Sequence, residues 1–342
     1  MNTAWQDFME SQGASFDDKG RARFGTASAE CALMDLSWLG LIRVCGGDAA
    51  SFLQGQVTSD TRDIDATHSA LSAYCTPKGR MLALFRLFRR NDELLMLLPA
   101  ERLGATLKRL SMFVLMADVK LQDASGELMR IAITGDRAPA VLREHIGEPP
   151  TEDNGAITYG AITLLRCDSD RPRFIIIAPT DEMAALWTKL AQAASPVDSN
   201  FWRLLDIRAG LPSVFDETAE AFVPQMANLQ LIDGVSFTKG CYTGQEVVAR
   251  MQYLGKLKRR MYSGHIDMDT TPAPGTPLYS ENSQSGQGSG KIVDAVVSDR
   301  GGVEALVIAE IATVEKGPLH VGDENGPPIE LGEPPYPFAA EE

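Results

Sequence analysis

The sequence predicts an α+β protein that ends in a small antiparallel β-barrel. Two observations carry this. Up to about residue 255, apolar runs of strand length alternate irregularly with segments of helical period, which implies mixed layers. Beyond that point short strands are separated by Pro/Gly/Ser loops, the pattern of a small barrel or sandwich. A chain of 342 residues has room for two or three domains. The expected division is residues 1–255, then a barrel over 256–332, then a loose acidic tail over 333–342.

The elements follow in order. "LGLIRVCGGDAASFLQGQVTSD" reads as a strand, a turn at Gly46-Gly47 and a short helix, with Asp48 as the candidate N-cap. "SALSAYCTPKGRMLALFRLFRRNDELLMLLPA" reads as three strands with turns at "TPKG" and "RRND". "AERLGATLKRLSMFV" has apolar spacing near 3.6 and predicts a helix. "MRIAITG" and "RFIIIAP" predict strands, each followed by a helix. The clearer of these helices is "DEMAALWTKLAQAA", with Asp181 near its start. "KLKRRMYSGHIDMD" alternates as a strand does.

Composition narrows the class. A hydrophobic share of 44% is ordinary for a globular chain, and the net charge is −14. That balance argues against a general nucleic-acid coat, so direct nucleic-acid binding is not expected. The N-terminus has neither a basic region nor an apolar core, so no signal peptide is expected. No apolar run approaches the ~20 residues of a membrane span. Five dispersed cysteines without a CxxC read as reduced thiols in a cytoplasm.

The densest stretch is "FTKGCYTGQEVVARM", Phe237–Met251. Thr243-Gly244-Gln245-Glu246 fits the S/T-x-x-E capping box, with a helix from Gly244 and Tyr242 and Val247 as a hydrophobic staple. That role by itself accounts for Thr243 and Glu246. A cap does not explain Cys241. Its thiol would face the positive end of the helix with Lys239 close by in sequence, and both favour the thiolate. The alternative is an inert, buried cysteine. Between Lys239 and Arg260 six positive residues stand against one negative, a net +5. This is either a solvated basic strand or a patch for an anionic ligand.

Two motifs are set aside. "SGQGSGKI" resembles a phosphate loop, but Ser285 and Ile292 replace the glycine and hydroxyl residue it needs. The four histidines are scattered, which leaves a metal site unsupported.

"FVPQMANLQLIDGVSFTKGCYTGQEVVARMQYLGKLKRR" resembles the signature region of the YgfZ family, folate-binding relatives of the glycine cleavage T-protein. The core is K-G-C-Y-x-G-Q-E, Lys239–Glu246. "FLQGQVTSD", "YCTPKGRMLALFRL" and "IRAGLPSVFDETAEAFVPQ" are similar to the same family, in the same order. The resemblance implies a trilobed, aminomethyltransferase-like folate-binding module followed by the barrel. It implies tetrahydrofolate as cofactor and iron–sulfur proteins as clients, including radical enzymes that modify tRNA. On that footing Cys241, Lys239, Gln245 and Glu246 are the candidate catalytic residues, and Asp60, Lys78, Arg80, Tyr242 and Arg250 the candidate folate-binding ones. Four of these five binding residues have a plainer alternative: a turn cap for Asp60, a basic hairpin turn for Lys78 and Arg80, solvent exposure for Arg250. A single thiol cannot hold a cluster, so no stable cluster is expected in the isolated chain. Aminomethyltransferases carry an aspartate after the strand that here ends "LMLLPAERLG". This chain offers Glu101 instead, which counts against aminomethyl transfer. A non-enzymatic docking module is the third reading.

Overall fold

The computed structural model describes residues 2–167, 169–283 and 288–338. Contacts divide the chain into two compact units. The first comprises Met1–Leu53, Thr61–Ala70 and Phe85–Trp202; the second comprises Gln54–Asp60, Leu71–Leu84 and Arg203–Glu342.

The first unit is built on a six-stranded sheet. Its order is Ala156–Tyr159, Ile162–Arg166, Arg173–Pro179, Leu128–Thr134, Ala32–Asp35 and Ser195–Pro196. Neighbours run antiparallel except the last pair, which is parallel. The strand Leu128–Thr134 is buried throughout, as a strand covered on both faces must be. Helices Thr3–Ser11, Ala138–His145 and Thr180–Leu190 contribute Trp5, Leu142 and Trp187 to the core against Leu33, Ile131 and Ile176. The indole N–H of Trp5 donates to Asp35 at 2.8 Å, so this buried carboxyl is not left unpartnered. A second sheet contains, within this unit, residues 85–90 of the strand Met81–Arg90, then Glu93–Pro99, Leu39–Cys45 and Lys120–Asp123; residues 71–75 and 81–84, on either side of the "TPKG" turn, belong to the second unit. The helix Ala100–Ser111 packs on this sheet, with Gly40 leaving room for Leu103. The predicted strands and helices are all present in this part. Asp48 precedes the helix Ala49–Gln54, and its carbonyl accepts the first helical bond from Phe52 (2.8 Å). Its carboxylate accepts the N–H of Asp118 (2.8 Å).

The second unit contains a closed six-stranded barrel, in the order Arg259–Ile266, Val303–Glu310, Gly290–Val297, Pro277–Tyr279, Leu319–Val321 and Pro328–Gly332. The last strand pairs antiparallel with the first and closes it, which removes the open edges. Ile266, Ile292, Val307 and Leu319 fill the interior. A register shift between Ile292 and Asp294 marks a bulge. There Asp294 is buried and ion-paired with Arg203 of the helix Asn200–Arg208; Arg203 also donates to the Ala295 carbonyl at 3.1 Å. One turn on, Arg208 binds both Glu304, with contacts of 2.9 and 2.6 Å, and Asp299.

That second cluster has a pH signature. Burial by itself would raise both carboxyls. Hydrogen bonds from Arg208, with one from Ser298 to Glu304, more than offset it and hold both below the usual range. A depressed folded pKa stabilises above the ordinary carboxylate values near ~4, and the gain fades as pH falls through the lowered values. Arg208→Gln should therefore cost about 1–3 kcal/mol at neutral pH. In thermal melts the gap to wild type should close as pH falls below about 4. A gap independent of pH would show that the cluster does not work through charge.

Contacts are made within the expected tail over 333–342. The Tyr336 hydroxyl donates to the Gly210 carbonyl (2.8 Å), and Phe338 packs edge-on against Tyr262 with Arg260 over its ring. Residues 339–342 lie outside the described residues, as do 284–287 of the stretch that resembles a phosphate loop. The described remainder of that stretch leads into the strand Gly290–Val297, which is not the loop-to-helix setting a phosphate loop needs. Among the described residues no helix is long and apolar enough to cross a membrane.

Candidate functional site

Three segments of the second unit build the site: Gln54–Asp60, the hairpin around Thr76–Gly79, and the stretch from Gly234 to Tyr253. The first, which turns and bends after the helix Ala49–Gln54, lies beside the hairpin. Thr58 exchanges backbone hydrogen bonds with Ala73 and Ser236, and Val57 bridges Tyr74. The Thr58 hydroxyl donates to the Gly234 carbonyl (2.6 Å) and accepts from the Ala73 N–H (2.8 Å). One small buried side chain thus ties all three segments together.

Lys239 joins two of these segments. It is 5% exposed, and its ammonium donates to the carbonyls of Val57 and Ser59, both at 2.7 Å. It also lies 5.2 Å from the centre of the Tyr242 ring. A buried ammonium needs such partners, and here they are backbone oxygens and an aromatic face. The role this geometry gives Lys239 is to fasten the loop. The sequence reading, in which it supports a Cys241 thiolate, did not foresee these carbonyls.

The loop then turns at Gly244. Its φ is +88°, and a Cβ there would stand 2.5 Å from the Thr76 carbonyl oxygen. Gly79 of the facing hairpin turn has φ +69°, and a Cβ there would meet Val247 at 3.0 Å. Two left-handed glycines therefore let the signature loop and the "TPKG" turn touch through their backbones. The expected capping box does not form. The helix is Gln245–Tyr253, its N-cap is Gly244, and no side chain caps it. A left-handed glycine at the cap, held by tertiary contact, replaces the local Thr243/Glu246 exchange that sequence spacing suggested. Glu246 is exposed in the first turn. Thr243 instead donates its backbone N–H to the Gly55 carbonyl (3.3 Å).

Between these anchors the loop presents Cys241, the one exposed cysteine of the five. Tyr242 points the other way and is buried. Burial, with Cys75 nearby, pushes its phenol above the usual range. Burial alone pushes the Cys75 thiol up to about 12, so Cys75 stays protonated and unreactive at neutral pH. Gln245 is half-buried, and Arg250 is exposed farther along the helix.

The other predicted residues divide. Asp60 is 7% exposed and accepts the Gln54 side-chain amide at 3.1 Å. Lys78 is exposed at the hairpin turn. Arg80 donates to the carbonyls of Glu220 (3.1 Å) and Ala221 (2.9 Å), so its guanidinium is engaged in holding chain. In the first unit, Glu101 lies in the first turn of its helix and pairs with Lys19 at 3.0 Å.

Sequence reasoning missed Gln225. It is 2% exposed and donates its amide to the Val248 carbonyl at 2.6 Å, steadying the helix that follows the loop. A lone amide in the apolar run "FVPQMA" was the available signal. Asn228, left-handed at φ +58°, similarly donates to the Met261 carbonyl at 2.9 Å. Among the described residues no group of His, Cys, Asp and Glu is arranged to hold a metal ion.

Comparison with known proteins agrees with this architecture. A family model for the GCVT N-terminal domain matches residues 12–168. The chain is 38% identical over 233 residues to the tRNA-modifying protein YgfZ of Colwellia psychrerythraea, covering 68% of this chain and 71% of that one. It is 31% identical over 304 residues to the protein of that name from Yersinia enterocolitica, covering 89% and 92%. Among solved structures it superposes on the glycine cleavage system aminomethyltransferase T from Bartonella henselae with a TM-score of 0.73. That match covers 96% and 95% of the two chains at 16% identity. At that identity the likeness shows the fold, which is that of the aminomethyltransferases with a closed C-terminal barrel.

Proposed function

The chain belongs to the family of the tRNA-modifying protein YgfZ, and from that membership we propose that it binds tetrahydrofolate and assists the assembly or repair of iron–sulfur proteins, tRNA-modifying radical enzymes among them. The observation that carries this reading is the exposed Cys241 on a loop anchored on either side, by Lys239 and by Gly244. A thiol held out on a rigid mount suits transfer to a partner better than internal structure.

The residues fit a folate. Its 2-amino-4-oxo ring presents paired N–H donors, which a buried carboxylate such as Asp60 can accept. Lys78, exposed on the hairpin turn, suits the anionic glutamate tail. Arg80 suits it less, because its guanidinium already serves two carbonyls. When bound, tetrahydrofolate supplies a one-carbon acceptor.

In this account the chain's own residues act as follows. Asp60 orients the ring. Lys239 and Gly244 set the loop. Gln245 and Glu246, in the first turn of the helix that follows, offer hydrogen-bonding groups, and the Cys241 thiolate coordinates iron of a client's cluster. One thiol supplies one ligand where a cluster takes four, so the client's own cysteines complete the set.

A second reading, aminomethyl transfer, has the fold likeness in its favour. Against it stands Glu101, which is ion-paired with Lys19 where those enzymes place an aspartate base.

Calorimetric titration with tetrahydrofolate tests the proposal. Wild type and Cys241→Ala should bind alike, and Asp60→Asn should bind at least about tenfold more weakly, the size of one charge-assisted hydrogen bond. No binding by wild type would remove folate from the account. Unchanged binding by Asp60→Asn would remove Asp60.

A further inference from the structure

We propose that the end of the Gln245–Tyr253 helix and the basic segment after it bind a single-stranded stretch of RNA. Tyr253 would stack on a base, and Arg250, Lys256 and Lys258 would take phosphates. The inference stands apart from the folate reading and uses none of its residues except Arg250.

The surface is unusual within this chain. From Val247 to Ile266 there are five Lys/Arg residues and no Asp or Glu, in a protein whose net charge is −14. Two of the five are engaged elsewhere: Arg259 donates to the Gly288 carbonyl at 2.6 Å, and Arg260 lies over the Phe338 ring. The other three, Arg250, Lys256 and Lys258, are all exposed. Among them stands Tyr253, 68% exposed, with Leu254 beside it at 86%. Arg250 and Tyr253 are three apart on the helix and so share a face.

Tyr253 is not loose. Its ring meets Phe237 at 6.1 Å and 73°, an edge contact that fixes the plane while most of the ring stays open. A fixed, open aromatic face among cations is the arrangement that binds unpaired bases, because every base has a π-face to stack and a phosphate beside it. An acidic protein could pair with the same cations, so the contribution of the Tyr253 ring is what distinguishes the two partners. The overall acidity does not oppose this, since phosphates within a Debye length of about 10 Å respond mainly to the local charge.

The test is fluorescence anisotropy with a labelled 20-nucleotide oligouridylate, with and without tetrahydrofolate, and with heparin as a polyanion that has no bases. Three phosphate contacts predict that affinity falls about 20-fold from 50 to 200 mM salt. Tyr253→Ala should weaken RNA binding about 5- to 150-fold and leave heparin binding unchanged, while Tyr253→Phe should retain both. Lys256→Glu with Lys258→Glu should lose both ligands. Circular dichroism should show every variant folded, because the substituted side chains are exposed. The proposal is overturned if wild type does not bind the oligonucleotide. It is also overturned if Tyr253→Ala leaves RNA binding unchanged or weakens RNA and heparin alike; the surface would then serve acidic partners by charge alone.

Discussion

Gly244→Ala should destabilise the protein by roughly 2–6 kcal/mol and displace the signature loop. About 1–3 kcal/mol comes from forcing a side chain into the left-handed region at φ +88°. A further ~1–3 kcal/mol comes from overlap, since the new Cβ would stand 2.5 Å from the Thr76 carbonyl oxygen, a backbone atom that cannot swing aside. Gly240, four residues earlier in the same loop, is the control. A Cβ there meets nothing within 4 Å, and its φ is not left-handed. Gly240→Ala should change stability by no more than about 0.5 kcal/mol. Chemical denaturation of the two variants reads the difference. Equal effects would mean that the contact between loop and hairpin turn does not set the loop.

Arg203→Met should cost about 3–5 kcal/mol, because it leaves the Asp294 carboxylate buried at the barrel bulge without its guanidinium. The Ala295 carbonyl loses a donor as well. The double variant Arg203→Met with Asp294→Leu should recover most of the loss, since replacing both partners removes the uncompensated charge. Denaturant midpoints across the four proteins give the coupling directly. A double variant as unstable as the single one would show that the contact of the Arg203 guanidinium with the Phe215 ring matters more than its pairing with Asp294.

These two sites mark where sequence reading reached its limit. The strands and barrel were legible because period-two alternation and Pro/Gly punctuation are local signals, as in Arg259–Ile266. Cys241 stood out as a thiol that a cap does not need, but the sequence left open whether it was exposed or buried. The N-cap was not. Thr243 and Glu246 satisfy a local rule, yet the chain turns at Gly244 because a hairpin some 165 residues earlier in sequence presses against it. Nor was the task of Lys239. A lysine beside a cysteine suggests a shifted thiol, and only the fold reveals that its ammonium reaches the carbonyls of Val57 and Ser59. The Arg203–Asp294 pair joins residues 91 apart through a bulge that no spacing announces.

The resulting account assigns Lys239, Thr58, Gly79, Gly244 and Gln225 to building the mount, and Cys241 to what the mount is for. Rescue of iron–sulfur enzyme activity tests that division most directly. Cells lacking the chromosomal gene would carry wild type or Cys241→Ser and be grown under oxidative stress. Melting temperature and tetrahydrofolate affinity would be measured on the purified proteins. The account predicts that Cys241→Ser matches wild type in stability and folate binding but leaves client activity at the level of cells without the protein. Full rescue by Cys241→Ser would contradict it.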